Sequence, residues 1–435
     1  MIRMWLLLLF MSSATFAETS CLSSRLNAQQ LEAQIQDAPY RYATNEGPLF
    51  MSYRSTPSFS SYAAQSKQII AIRNPRGTLP CPISTPTTQW LIKHDQLTPP
   101  VTVSDLVAPF ELEQPQSKKV ALLFHGLTDS PFSFHAIAPL LWAQGYTVRT
   151  LLLPGHATAP SDLQQVDVTA WSEITQEALL DAQTNFEQVL LVGYSTGATL
   201  ALNAAAVQPD KVSGIVLIAP ASQSHNKYSF LAQWLQYVPG LRWLDEAPDI
   251  DPFKYESFPM AAAALVHEVM STFYQPNFNH AALRNIPKLT LLSEVDTTID
   301  SHATLGLLAQ WHHPRDTLLL YGERSWAQSV LGEKYQIEQA RCIEEPCAAF
   351  NGMSHIGLLH PPSHPFYGKN GTYRHCGIYL NDLQKYAQCT LEPNAVRGET
   401  TIENTQSNPI FQRLTYNPYY HQLEQVLEHF VHALP

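Results

Sequence analysis

From residue 119 onward the chain alternates short apolar runs with longer mixed stretches. The runs are residues 120–124, 146–153, 189–192, 214–219, 288–292 and 317–321. The run 120–124 is apolar throughout, as expected of a strand buried on both faces. Between them, residues 134–142, 168–186, 198–206 and 305–311 read as helices, and Gly145 ends the first. Strands alternating with helices imply right-handed crossovers. The predicted class is therefore α/β, with a mainly parallel sheet and helices on both faces.

The alternation pauses twice. Residues 221–285 are rich in aromatics, among them Tyr228, Phe230, Trp234, Tyr237 and Phe273, and look helical over 230–237 and 260–274. An insertion between sheet strands, where ligands sit outside the carboxyl ends, reads as a cap over a pocket. The plainer alternative is a peripheral helical lobe. A second pause of about thirty residues follows the run at 317–321. The tail is loop-rich and ends in a helix with Leu423, Leu427, Phe430 and Leu434 on one face.

The leading residues follow other patterns. Arg3, the apolar stretch 5–11 and Thr15-Phe16-Ala17 read as a secretory signal, residues 1–17, cleaved after Ala17. Residues 18–115 combine a helical pattern (Leu26, Leu31, Ile35) with strand-like runs such as 68–72, broken by prolines. They read as an extension that adds strands to the main sheet or packs beside it. The expected organisation is thus a signal (1–17), an N-terminal extension (18–115), a main domain (116–360, cap 221–285) and a C-terminal extension (361–435).

Composition narrows the function. Hydrophobic residues make up 45% and charged residues 14%, which describes a core-forming chain. A net charge of −11 argues against a nucleic-acid partner. No stable membrane span is expected once the signal is cleaved, because its apolar stretch is too short. Six cysteines in an exported chain read as disulfides. Joining neighbours gives Cys342–Cys347 and Cys376–Cys389, and by elimination Cys21–Cys81. No zinc spacing occurs; His267-Glu268 begins a zinc motif, but its second histidine position is Ser271. No metal and no cofactor is expected.

The chemistry centres on Gly193-Tyr194-Ser195-Thr196-Gly197, which follows the run 189–192 and precedes small residues suited to a helix. Strand, Gly-x-Ser-x-Gly, helix is the context of a nucleophile elbow. Serine needs a base within hydrogen-bond reach and a carboxylate to orient it. Asp296, directly after the run 288–292, is the candidate acid; Asp300, a helix N-cap by position, is the alternative. His355, in the turn Asn351-Gly352-Met353-Ser354, is the candidate base, ahead of His360 and His364. The expected oxyanion donors are the backbone N–H groups of Leu127 and Thr196.

Four motifs in order, His125-Gly126-Leu127-Thr128 with Ser130-Pro131, Leu153-Pro154-Gly155-His156, the elbow and Asp296, resemble bacterial carboxylesterases and monoacylglycerol lipases. The resemblance covers roughly 116–360 and implies the α/β-hydrolase fold with a helical cap, a Ser-Asp-His triad and an acyl-enzyme. Position 157 is alanine where the family commonly has glycine, and the base follows the acid at a longer distance. The implied partner is a small ester or lipid substrate. A serine peptidase on the same fold and a non-catalytic exported binding protein on a hydrolase scaffold are the other readings. Oligomeric state is not legible.

Overall fold

The computed structural model describes residues 20–22, 25–226, 228–341 and 350–435. The signal reading (1–17) and the Cys342–Cys347 pairing lie outside the described residues. Strands run in chain order: β1 (Glu111–Leu112), β2 (Lys119–Phe124), β3 (Thr147–Leu151), β4 (Gln188–Tyr194), β5 (Val212–Ile218), β6 (Trp243–Asp245), β7 (Phe258–Pro259), β8 (Lys288–Ser293), β9 (Thr317–Tyr321), β10 (Gln336–Gln339), β11 (Phe350–Asn351), β12 (Val396–Gly398) and β13 (Phe411–Arg413).

Eight of these form one sheet in the order β1-β3-β2-β4-β5-β8-β9-β10. All neighbours are parallel except β1, which pairs antiparallel with β3. Side chains alternate between two cores. Leu122, Leu191 and Leu217 pack on one face, while Leu123, Val192 and Val216 pack on the other. The first core is covered by Trp171, Ile174 and Leu179 of the helix Val168–Asn185 and by the helix Thr196–Val207. The second is covered by Leu141 and by the last helix, Tyr420–His432, through Leu423, Leu427 and Phe430. The tail therefore returns to the sheet: a Cβ at Gly214 would press on the Leu434 side chain at 2.9 Å.

Residues 25–115 carry four helices joined by irregular stretches and contribute β1 to the sheet. The run 68–72 lies in the helix Phe59–Arg73, not in a strand. A short apolar run does not by itself distinguish the two, and Ser58 caps this helix by accepting from the Ser61 N–H at 3.2 Å. Its last residue, Arg73, forms a buried two-pronged bond with Asp162, at 2.9 and 2.7 Å, which ties the segment to the loop after β3. Disulfides join Cys21 to Cys81 and Cys376 to Cys389, as the sequence pairing expects. Among the described residues no helix is long and apolar enough to cross a membrane.

Two additions sit at the carboxyl ends of the strands. Between β5 and β8 lie the ribbon β6–β7 and the helices Ala232–Leu235, Met260–Ser271 and His280–Arg284. After β10, the short parallel strands β11-β12-β13 form a second sheet. That sheet was not expected of a loop-rich tail, because strands of two or three residues carry no readable period.

Candidate active site

The elbow is dictated by its two glycines. A Cβ at Gly193 would overlap the backbone of Ala198, and one at Gly197 would overlap the carbonyl of Phe124. Without those side chains the helix Thr196–Val207 leaves β4 at a sharp angle. Ser195 sits at the corner with φ 53° and ψ −117°, a conformation rarely adopted by residues other than glycine. Its N–H donates to the Ile218 carbonyl at 2.8 Å, and its carbonyl accepts from the Ala221 N–H at 3.1 Å.

β5 lies between β4 and β8, so the loops after β4 and β8 share one edge of the sheet. Asp296 follows β8. Its Oδ1 accepts the N–H groups of Thr298 and Ile299 at 2.8 and 3.0 Å, which fixes the carboxylate plane. Asp300 caps the next helix by accepting from the Ala303 N–H at 2.9 Å. His355 follows β11 at the start of a short 3-10 turn. Its Nδ1 lies 2.7 Å from Asp296 Oδ2 and its Nε2 lies 3.1 Å from Ser195 Oγ. The three predicted side chains are thus brought into one hydrogen-bonded row. His360 and His364 pack on the Tyr367 ring instead, and burial drives both imidazoles toward the neutral form.

Leu127 and Thr196 both line the cavity that Ser195 faces. Thr196 opens its helix, so its N–H has no carbonyl one turn earlier to bond. The loop of Leu127 is held by two buried imidazoles. His125 Nε2 accepts from the Leu153 N–H at 3.0 Å, and His156 Nε2 accepts from the Thr128 N–H at 3.2 Å. Both roles require an unprotonated nitrogen. Burial lowers both groups, His156 to about 4 and His125, with help from the neighbouring His156, well below its ordinary value. The two histidine motifs therefore act as scaffolding around the loop.

The cavity has a volume of about 700 Å³. Leu231, Leu235, Met260, Val266 and Met270 of the insertion supply apolar lining. Asp129, Lys254, Glu256, His375 and Arg413 supply polar lining. Burial raises Asp129 and Glu256 to about 7 each. Among the described residues no group of three or more His, Cys, Asp or Glu is arranged to hold a metal ion.

Residues 121–363 match the alpha/beta hydrolase family. The chain belongs to that family. Among relatives of this α/β-hydrolase, a thermostable monoacylglycerol lipase of Bacillus sp. (strain H-257) is 28% identical over 156 residues, 34% of this chain and 61% of that protein. Salicylic acid-binding protein 2 of Nicotiana tabacum is 27% identical over 126 residues, 28% of this chain and 48% of that protein. The chain thus spans about half to three-fifths of these curated relatives. The solved structure of Paleococcus ferrophilus monoacylglycerol lipase is 18% identical with a TM-score of 0.39, covering 51% of this chain and 93% of that one.

Several residues of the α/β-hydrolase site were not found from sequence. Glu399 accepts the His355 N–H at 2.9 Å and pairs with Arg413 at 2.8 Å. Burial alone would raise the Glu399 carboxyl; the Arg413 charge and the hydrogen bonds from Arg413, His355 and Thr400 bring it down to about 2. Both lie beyond the family match, and nothing local in the chain marks either. Lys254 and Glu256 were read only as part of an aromatic insertion. Asp129 falls between the two parts of the first motif and was given no role.

Proposed function

We propose that this α/β-hydrolase is an exported serine hydrolase of carboxylic esters, carboxylesterase- or lipase-like. The observation that carries the reading is the row Ser195–His355–Asp296 beside the free-ended helix at Thr196, on the floor of an amphipathic cavity. Ser195 Oγ gives its proton to His355 Nε2 as it attacks the ester carbonyl. Asp296 orients the ring and faces the imidazolium that forms. The developing oxyanion turns toward the N–H groups of Leu127 and Thr196, each worth roughly 3 kcal/mol of barrier in such sites. His355 then protonates the departing alkoxide, leaving an acyl-enzyme on Ser195. Water, deprotonated by the same imidazole, releases the acid.

The cavity walls suit an ester with one apolar and one hydrogen-bonding part. Apolar surface such as that of Leu235 and Met270 takes up a chain at about 25 cal/mol per Å². Export is supported by the two disulfides, which persist in oxidising compartments. The name of the monoacylglycerol lipase relative supports the ester class. The test is a panel of p-nitrophenyl esters, acylglycerols and aminoacyl arylamides, run on wild type and Ser195→Ala. Ester turnover lost in Ser195→Ala is the expected result. Turnover of arylamides alone would favour a peptidase. Failure to hydrolyse anything or to label with a fluorophosphonate would favour a binding protein.

A further inference from the structure

Acid and base stand on separate loops of this chain, and the chain between them is long. We infer that Glu399 and Arg413 are positioning residues that hold the His355 loop in register with the Asp296 loop. The segment beyond the family match is then part of the hydrolytic machinery. This inference rests on the hydrolase reading above.

The geometry is specific. The turn 351–355 is held at both ends by one residue. The Glu399 N–H donates to the Asn351 carbonyl at 3.1 Å, and Glu399 Oε2 accepts the His355 N–H at 2.9 Å. That first bond requires β12 to lie close to the turn. Gly398 permits it, since a Cβ there would overlap the backbone of Asn351. Glu399 is itself immobilised. Its side chain is wholly buried, Arg413 donates to both its oxygens at 2.8 and 3.0 Å, and the Thr400 N–H adds a bond at 2.7 Å.

Arg413 also reaches the other loop. Its Nη2 donates to Thr298 Oγ1 at 2.7 Å, and the Thr298 N–H donates to Asp296 Oδ1 at 2.8 Å. A continuous polar path therefore runs from the main chain of His355 through Glu399, Arg413 and Thr298 to the carboxylate of Asp296. A buried ion pair is weak evidence for stability, since well-packed apolar groups often serve as well. Here its fixed fork geometry sets a distance between two loops. Misplacing a reacting group by about 1 Å is enough to cost on the order of 100-fold in rate.

The decisive variant is the double substitution Glu399→Gln, Arg413→Met. It removes both charges together, so neither is left buried and unpaired. We expect wild-type melting and kcat on a p-nitrophenyl ester lowered about 10- to 100-fold, beyond any change in KM from the charge that Arg413 contributes to the cavity lining. Arg413→Lys, which keeps the charge but not the fork, is expected to fall between that variant and wild type. A folded double variant with kcat within about two-fold of wild type overturns the inference. So does a kcat that falls only in step with the folded fraction. Should the double variant not fold, Thr298→Val decides, because it cuts the link and leaves the ion pair in place. Lowered kcat at unchanged KM supports the positioning role, and unchanged kcat overturns it. Ser195→Ala, assayed alongside, separates the two readings. If it keeps turnover, the hydrolase reading falls. If it is inactive while the double variant is unimpaired, only the positioning roles fall.

Discussion

The two regions that meet at Ser195 are built by different physics. β4 and β8, which deliver Ser195 and Asp296, are strands buried on both faces between two apolar cores. β11, which delivers His355, is the edge of three strands of two or three residues. That small sheet is held by a buried ion pair, the Gln412 amide on the Cys389 and Glu392 carbonyls, and the Cys376–Cys389 bridge. Apolar packing is non-directional and tolerates drift along a face. Hydrogen-bonded charges are directional and hold one geometry. The difference teaches that a side chain at the edge of a hydrolase sheet can be held in place by an appended segment, provided the join is polar and specific.

The largest expected effect tests whether the regions act as one site. Ser195→Ala in the first and His355→Ala in the second should each lower ester turnover by at least about 10⁴-fold at unchanged melting, since members of such a unit fail together. His360→Ala should retain substantial activity. If His360→Ala is the inactive variant, the base belongs elsewhere and the comparison dissolves.

A pair of glycines separates stability from activity. Gly197→Ala drives a Cβ into the Phe124 backbone at the centre of the large sheet, and should cost about 3 kcal/mol or more in urea unfolding. Gly398→Ala meets the Asn351 backbone in the small sheet, whose Phe350 packs at the margin of the second core. It should cost only about 1–2 kcal/mol yet lower kcat visibly. Equal stability losses would break the distinction.

The disulfides make the same point more gently. Replacing Cys376 and Cys389 by alanine, or Cys21 and Cys81, should cost about 2–4 kcal/mol in either case. Only the first pair braces the small sheet that leads to His355, through Cys389 beside Phe411. Turnover of the folded protein should fall for the first and hold for the second.

The smallest effect contrasts a half-buried carboxyl with a buried one. Asp129, after β2, is raised by burial to about 7 from an ordinary value of 3.8. Between those pH values the folded state keeps a proton that the unfolded chain releases, so this group's contribution falls as pH rises from about 4 to about 7. Glu399 runs the other way: held at about 2, its contribution is present above about 4.5 and lost as pH falls through about 2. Asp129→Asn should therefore flatten the decline in stability between pH 4 and 7, read from urea midpoints across that range. An unchanged slope would remove Asp129 from the account.

Much of the first region was legible because its determinants are local. Continuous apolar runs mark buried strands, Gly193 and Gly197 mark a turn that no side chain permits, and Asp296 follows its strand within a few residues. The order Ser195, Asp296, His355 could be read along the chain. What the tertiary structure alone decided is non-local. The helix over 68–72 was settled by a cap and by packing, not by its short apolar run. The cavity walls bring Asp129, Lys254 and Arg413 together from three distant segments. Glu399 meets the main chain of His355 across 44 residues and Arg413 meets Thr298 across 115. Periodicity and turn chemistry act over a few residues and leave a trace in the sequence; a hydrogen bond between distant segments exists only once the fold has brought its donor and acceptor within reach.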